Sequence, residues 1–423
     1  MQSLDDLRTA QARDGRIWPS YGHLGVANVP ETAAAILGLA VDRPLPIPAL
    51  EWTGLIDHVV LVVIDGLGWN RARMLRSSVP ALDRLATNAT VTPLTSTYPS
   101  ETSAAMITLY TGLQPIEHGL IGWFTRFDEP TVIGQSLPFR SLDGASMDRA
   151  YGHDPSELFD ASSRLPITRR LAAEGISVAY LNPTNIADSA ASQLSAGSAD
   201  RIGYHGIDEA FDTLRHRLET AETPTYHLIY DPKVDAMGHH HGTASEPFHA
   251  AVRRVTASLF DRFIDRLDPQ TAERTAVLVT ADHGQLDTDP AANVDLGALD
   301  DSGEIRVRAR LQRDMTGGPI YLAGGPRNIQ FHLQDGEIAP LRAELERELS
   351  VLTLDRDEYL AAELFGDRPP SATFEQRAPD LIAIPDELSV WYDDGNLDEI
   401  GMHGGLHPDE MVVPLAFARA DEL

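Results

Sequence analysis

Between Thr92 and Gly112 the chain carries nine serine and threonine hydroxyls. That density is unusual for a stretch that also reads as a helix, because these side chains compete for backbone hydrogen bonds. A hydroxyl is a weak nucleophile until a base or a metal activates it. Four other short motifs supply carboxylates and imidazoles. "VVIDG" ends an aliphatic run at Asp65, and "DAMGHHHG" sets Asp235 and His239 four residues apart. "TADHG" places Asp282 beside His283, and "GMHGG" puts His403 among glycines. Taken singly, each reads as a turn carboxylate or a loop histidine as well as it reads as a ligand. Together they form mixed Asp/His sets of the kind that suits zinc and similar divalent ions. Three Asp and three His are enough for two ions, which clamp the attacking and leaving oxygens of an in-line displacement at phosphorus. The chain has no cysteine, so thiolate nucleophiles, disulfides and Cys-ligated zinc are all excluded.

These residues need elements that bring them together. "HVVLVVIDG" reads as a strand buried on both faces and ending at Asp65. "ITRRLAAEGISVAYLNP" is a helix, a glycine stop and a strand; "IDEAFDTLRHRL" is an amphipathic helix leading into the strand "TYHLIYD". A longer amphipathic helix with Phe248, Val252, Val255, Leu259, Phe263 and Leu267 on one face precedes the strand "TAVLVTADHG". Such alternation indicates an α/β domain with a mostly parallel sheet flanked by helices. Ligands of such sheets sit beyond the carboxyl ends of the strands, which places Asp65, Asp231 or Asp235, and Asp282 at one edge. After about residue 287 the pattern changes: "IRVRARL", "PIYLAG", "NIQFHL" and "PDLIAIP" read as strands, "IAPLRAELERELSVL" and "DEYLAAELFG" as helices. The expected organisation is therefore a catalytic domain over 1–286 and 396–423, with a smaller α+β insertion over 287–395. The segment 124–160, rich in Pro, Gly, Asp and Ser, reads as a long loop. Arg377 and Asp380 in "RAPDLIAIP" read as a structural pair.

Bulk properties narrow the function classes. The formal charge is −29 and the pI about 4.7, a field that repels nucleic-acid backbones and anionic membranes. The expected partner is a small molecule, with no nucleic-acid surface and no membrane; composition leaves the oligomeric state open. The longest aliphatic run, Val59 to Ile64, is far too short to span a bilayer, and the polar, acidic start has no signal-peptide pattern, so a cytoplasmic location is expected.

The motifs "VVIDG", "PSETSAAMITLYTGLQPIEHGL", "DAMGHHHG", "TADHG" and "MHGG", in this order, resemble the type I phosphodiesterase/nucleotide pyrophosphatase branch of the alkaline phosphatase superfamily. The resemblance implies an alkaline-phosphatase-like fold and two divalent metals, with zinc the expected ion. It implies that Asp65, Asp282 and His283 hold one metal together with the nucleophilic hydroxyl, and that Asp235, His239 and His403 hold the other. In the family the nucleophilic threonine lies ten residues before the glycine that closes its helix, which selects Thr102 over Thr97. Local signals agree: Ser100 suits an N-cap, Glu101 a first turn and Gly112 a helix stop. Thr102 then falls in the first turn, where free N–H groups favour a phosphate. His240 and His241 match no ligand position, and His407 fits the family spacing less well than His403. The implied reaction is hydrolysis through a covalent phospho-threonine.

Departures from the family leave the substrate open. Nucleotide-cleaving relatives carry an Asn twenty-one residues after the nucleophile, where this chain has Trp123. Tyr230 matches a tyrosine that lines their substrate pocket, and we take Trp123 and Tyr230 as candidate substrate-binding residues. Arg126 and Lys233, the latter the chain's single lysine, are the cations near the motifs. Alternatives are a phosphomonoesterase, a phosphonate hydrolase, or a non-catalytic metal-binding protein on the same fold.

Overall fold

The computed structural model describes residues 3–423 apart from 129, 163, 290–292, 315–316, 387–389 and 392–398. Seven strands form the central sheet: β1 (His58–Ile64), β2 (Thr90–Thr95), β3 (Ser177–Pro183), β4 (Asp200–Tyr204), β5 (Thr225–Asp231), β6 (Thr275–Thr280) and β7 (Val412–Arg419). Their spatial order is β2-β7-β6-β1-β5-β3-β4. The five strands from β6 to β4 run parallel, and β7 is antiparallel to both β6 and β2. Every residue of β1 is buried, as expected for a β-branched run covered on both faces. Register aligns the strand ends: Ile64 lies opposite Asp231, and Val63 opposite Thr280. The turns after β1, β5 and β6 therefore emerge level at one edge.

Helices cover both faces because their apolar stripes follow the 3.6-residue period. Helix Ile207–Glu219 buries Ile207, Phe211, Leu214 and Leu218, while helix Glu246–Ser258 buries Phe248, Val252 and Val255. Helix α1 (Thr102–Thr111) has no polar face, and every residue after Thr102 is buried. Two of its buried hydroxyls have partners: Thr111 donates to the Ile107 carbonyl, and Thr108 lies 3.1 Å from His118 Nε2. Gly112 ends it with φ +72°, a left-handed cap that only glycine adopts cheaply. Helix α2 (Lys233–His241) follows β5 directly. Among the described residues no helix is long and apolar enough to cross a membrane.

A second seven-stranded sheet is antiparallel throughout. Four strands come from the later part of the chain (Ala323–Gly325, Asn328–Phe331, Val351–Asp355, Leu381–Pro385) and three from Phe124–Phe127, Val132–Gln135 and Arg140–Ser141. The 124–160 stretch is thus not a long loop. Its strands are two to four residues long, and Phe124 joins the distant Gly324, a pairing that local pattern does not reveal. "IRVRARL" is not a strand either. Ile305, Val307 and Leu311 are buried, but the Val307 and Arg308 N–H groups donate to Asp300 Oδ1 instead of to a partner strand. Arg377 and Asp380 do not pair. Buried Arg377 donates to the carbonyls of Gly119 and Leu158 and stacks on Phe127, whereas Asp380 accepts from the Leu333 N–H.

Candidate active site

Asp65 follows β1, Asp235 sits in the first turn of α2, and Asp282 and His283 follow β6; His403 stands in the turn that leads toward β7. Two groups result. Ligand atoms of Asp65, Asp282 and His283 lie within 4.8 Å of one another, and so do those of Asp235, His239 and His403. The groups adjoin, since the His283 and His403 rings stack with centroids 3.7 Å apart. Gly66 permits this closeness: its φ is +73°, and a Cβ would stand 3.0 Å from Asp235 Cα.

The first group is fully buried. Asp282 Oδ1 accepts from the N–H groups of Gly66 (3.2 Å) and His283 (2.9 Å), and Asp65 Oδ2 accepts from the Tyr230 hydroxyl. Asp282 Oδ2 and Asp65 Oδ1 have no hydrogen-bond partner among the described residues, and both lie within 3.4 Å of His283 Nε2. Burial, reinforced by the Asp282 and Asp235 charges, raises the Asp65 carboxyl well above the ordinary range. Two orphaned carboxylate oxygens converging on one imidazole nitrogen form a donor set that fits a divalent cation, which relieves their repulsion.

In the second group His239 Nε2 lies 3.4 Å from Asp235 Oδ2 and 3.1 Å from His403 Nε2, which is itself 3.5 Å from Asp235 Oδ1. The His403 Nδ1–H donates to the Ser100 carbonyl at 3.0 Å, leaving a lone pair on its inward Nε2. Burial disfavours charge throughout this group, but Asp235 outweighs it at His239, holding that ring up at about 9. Reciprocally, the surrounding imidazoles overcome burial and keep Asp235 below its usual value. Burial and the neighbouring His283 push His403 well down. Inward-facing nitrogens around one carboxylate again fit a cation better than they fit each other.

Outer contacts hold both groups in place. Gln285 donates to the Asp235 carbonyl at 3.1 Å and to its carboxylate, and Gly238 is small because a Cβ there would overlap Gln285 Oε1. The His283 Nδ1 lies 3.1 Å from the Gly284 carbonyl, and Glu399 Oε2 lies 3.8 Å from His239 Nδ1. Neither Gln285 nor Glu399 belongs to a motif, and only its position two residues after His283 hints at Gln285.

Thr102 is the first residue of α1, with Oγ1 3.1 Å from His283 Nε2. Glu101, not Ser100, occupies the N-cap position. The Ser100 hydroxyl instead donates to the Gly405 carbonyl and accepts from the Gly404 N–H, clipping the His403 turn to α1. Thr97 is buried and donates to the Pro99 carbonyl. His240 and His241 are exposed, and His407 accepts from the Asp409 N–H as a helix cap, lining a separate cavity.

Two cavities flank Thr102. One, of about 330 Å³, is lined by Glu101, Trp123, Glu399 and the second group; the other, of about 550 Å³, is lined by Asp65, Trp123, Tyr230, Leu137 and Arg140. The Trp123 backbone N–H donates to Glu101 Oε2 at 2.7 Å, and burial pushes Glu101 up to about 8. The Tyr230 hydroxyl is committed to Asp65 while its residue borders the larger cavity. Arg126 pairs with Asp128 and donates to Gln312, and neither it nor Lys233 lines either cavity. Arg140, which no motif singles out, does.

A family model for type I phosphodiesterase/nucleotide pyrophosphatase matches residues 59–138 and 207–406, about two-thirds of the chain. The chain belongs to this family. Its members are phosphoric ester hydrolases that depend on metals, in keeping with the two ligand groups. Murine ectonucleotide pyrophosphatase/phosphodiesterase 5 is similar in structure (TM-score 0.59, 15% identity, covering 85% of this chain and 87% of that one). An inactive threonine-to-alanine variant of the murine protein, in complex with AMP, gives 0.60 at 14% identity over 85% and 87%. Phosphonoacetate hydrolase from Sinorhizobium meliloti 1021, in complex with phosphonoformate, gives 0.60 at 17% identity over 85% and 89%. At these identities the likeness is one of fold: an α/β architecture with a mostly parallel central sheet flanked by helices. No curated protein matches the sequence significantly.

Proposed function

We propose that this protein is a two-metal phosphodiesterase of the nucleotide pyrophosphatase type, working through a covalent phospho-threonine on Thr102. The observation that carries the reading is the position of the Thr102 hydroxyl, at a helix N-terminus, 3.1 Å from His283 and bordering cavities lined by both ligand groups. Asp65, Asp282, His283 and Thr102 would hold one divalent ion, zinc for preference, and Asp235, His239 and His403 the other. When bound, such ions acidify a coordinated hydroxyl and neutralise the departing oxygen. The chain's own residues do the rest. The first-turn N–H groups of α1 face the phosphoryl oxygens. Thr102 Oγ attacks phosphorus in line, the bond to the ester oxygen breaks, and the phosphoryl group rests on Thr102. The Thr102 proton leaves with the ester oxygen; water then displaces Oγ, its oxygen bonding to phosphorus while one of its protons passes to Oγ. Gln285, Tyr230 and the Ser100 carbonyl keep Asp235, Asp65 and His403 aimed throughout.

A diester is the favoured substrate. A monoester is a dianion, and two carboxylates of the ligand groups, Asp65 and Asp235, already line the cavities; monoesterases of this kind add a bidentate Arg close to phosphorus. Arg126 is engaged elsewhere, Lys233 is exposed on α2, and Arg140, which lines the larger cavity, is exposed at its rim. A second reading, a phosphonate hydrolase, draws on the neighbour that binds phosphonoformate; a 550 Å³ cavity with apolar walls suits a larger ester arm better. The unit proposed over 287–395 contributes no ligand; with strands 124–141 it shapes substrate choice. The test is catalytic efficiency on bis-nitrophenyl phosphate against nitrophenyl phosphate, with metal-loaded protein. The diester is expected to win and chelation to stop both reactions. A monoester preference would promote the phosphatase alternative.

A further inference from the structure

The larger cavity beside Thr102 is charged in one direction only once the ligand carboxylates are set aside. Its lining is mostly apolar, with Met106, Ile107, Leu137 and Ile186 beside the polar Asn185 and Ser192, and among the described residues Arg140 is the only basic one that lines it. The chain carries 63 acidic residues against 34 basic ones, yet among the described residues no carboxylate pairs with Arg140. Its backbone is held by the second sheet, where Arg140 pairs with Gln135. The second cavity that Thr102 borders has the opposite character, with Glu101 and Glu399 in its lining and, among the described residues, no basic one other than the histidines. A substrate with two unlike arms would therefore be sorted by charge.

We propose that the larger cavity is the subsite for the substrate's second ester arm, and that this arm is an apolar group ending in an oxyanion read by Arg140. The proposal rests on the phosphodiesterase reading and adds the chemical class of the arm. A guanidinium fork matches a planar oxyanion bidentately, and apolar walls limit the water that competes for it. Because Arg140 is exposed at the rim, the gain is moderate: about tenfold in KM, from one charged hydrogen-bonded contact.

The experiment compares nitrophenyl benzyl phosphate with nitrophenyl carboxybenzyl phosphate on metal-loaded protein. The carboxylated ester is expected to be favoured about tenfold in kcat/KM, with the difference in KM. In Arg140→Gln the ratio should fall to near one, and in Arg140→Glu the preference should reverse. A ratio near one in the natural protein, or a ratio unchanged in Arg140→Gln, overturns the assignment. Calorimetric binding of both esters to metal-loaded Thr102→Ala protein reads the cavity without turnover. Unselective binding there removes the Arg140 subsite even in an active enzyme. Selective binding in a protein whose natural form cleaves neither ester would keep the subsite and remove the phosphodiesterase reading.

Discussion

The two sheets of this molecule divide the work unequally. At the carboxyl edge of the central sheet the candidate ligands Asp65, Asp235, Asp282 and His283 follow strand ends within four residues, and register brings the ends of β1, β5 and β6 level; His239 lies further along α2, and His403 precedes β7. The second sheet contributes none of the six candidate ligands. It meets the site through Trp123, Leu137 and Arg140, on a local three-stranded meander that joins the rest of the sheet only where Phe124 pairs with Gly324, two hundred residues away. Parallel edges therefore concentrate chemistry in short local motifs, whereas the antiparallel sheet builds a wall from pieces that carry no motif. Changes at the first should destroy reaction or metal binding, and changes at the second should act on stability and selection.

The largest expected effect is at the central edge. Thr102→Ala should lower turnover by at least about 10³-fold while metal content and thermal unfolding stay near those of the natural protein. Thr97→Ala removes only a hydrogen bond to the Pro99 carbonyl and should cost about 1 kcal/mol of stability, seen by denaturation. Next, Asp235→Ala and His403→Ala should each lower bound metal from about two ions per chain to about one, measured by elemental analysis. Retention of both ions in the His403 variant would move that role elsewhere.

The third test joins the two regions. Arg327, in the turn between two strands of the second sheet, pairs with Glu410 at 2.6 Å, both fully buried, and Glu410 also accepts from Gly405 N–H beside His403. Arg327→Met leaves a buried carboxylate without its cation and should destabilise by about 3–5 kcal/mol. Replacing Glu410 by Leu as well should recover much of that, measured by chemical denaturation. The smallest effect sharpens the comparison most. Gly238→Ala forces Gln285 from Asp235, and should weaken metal binding at the second group about tenfold with little change in unfolding temperature. A large loss of stability instead would make Gln285 a packing residue.

The difference between the regions also explains what the sequence discloses. Strands β1, β5 and β6 are legible because each is an apolar run that stops at a motif, and α1 because Gly112 marks its end. The cap of α1 is misread because Ser100, a good N-cap by type, is taken by the 404–405 turn. Strands 124–141 are missed since they are only two to four residues long and join the sheet through one remote pairing, and "IRVRARL" is over-read since burial without a partner strand leaves the same alternation. Arg140 and Glu399 gain meaning only from the cavity that gathers them.

The central claim is that Thr102 itself carries the phosphoryl group. Acid-quenching metal-loaded protein during turnover of bis-nitrophenyl phosphate, followed by peptide mapping by mass spectrometry, tests it directly. The account predicts a nitrophenyl-phosphoryl adduct on the peptide containing Thr102, located at that residue and absent from Thr102→Ala. An adduct on Thr97 or Ser103, or turnover retained in Thr102→Ala, would contradict it.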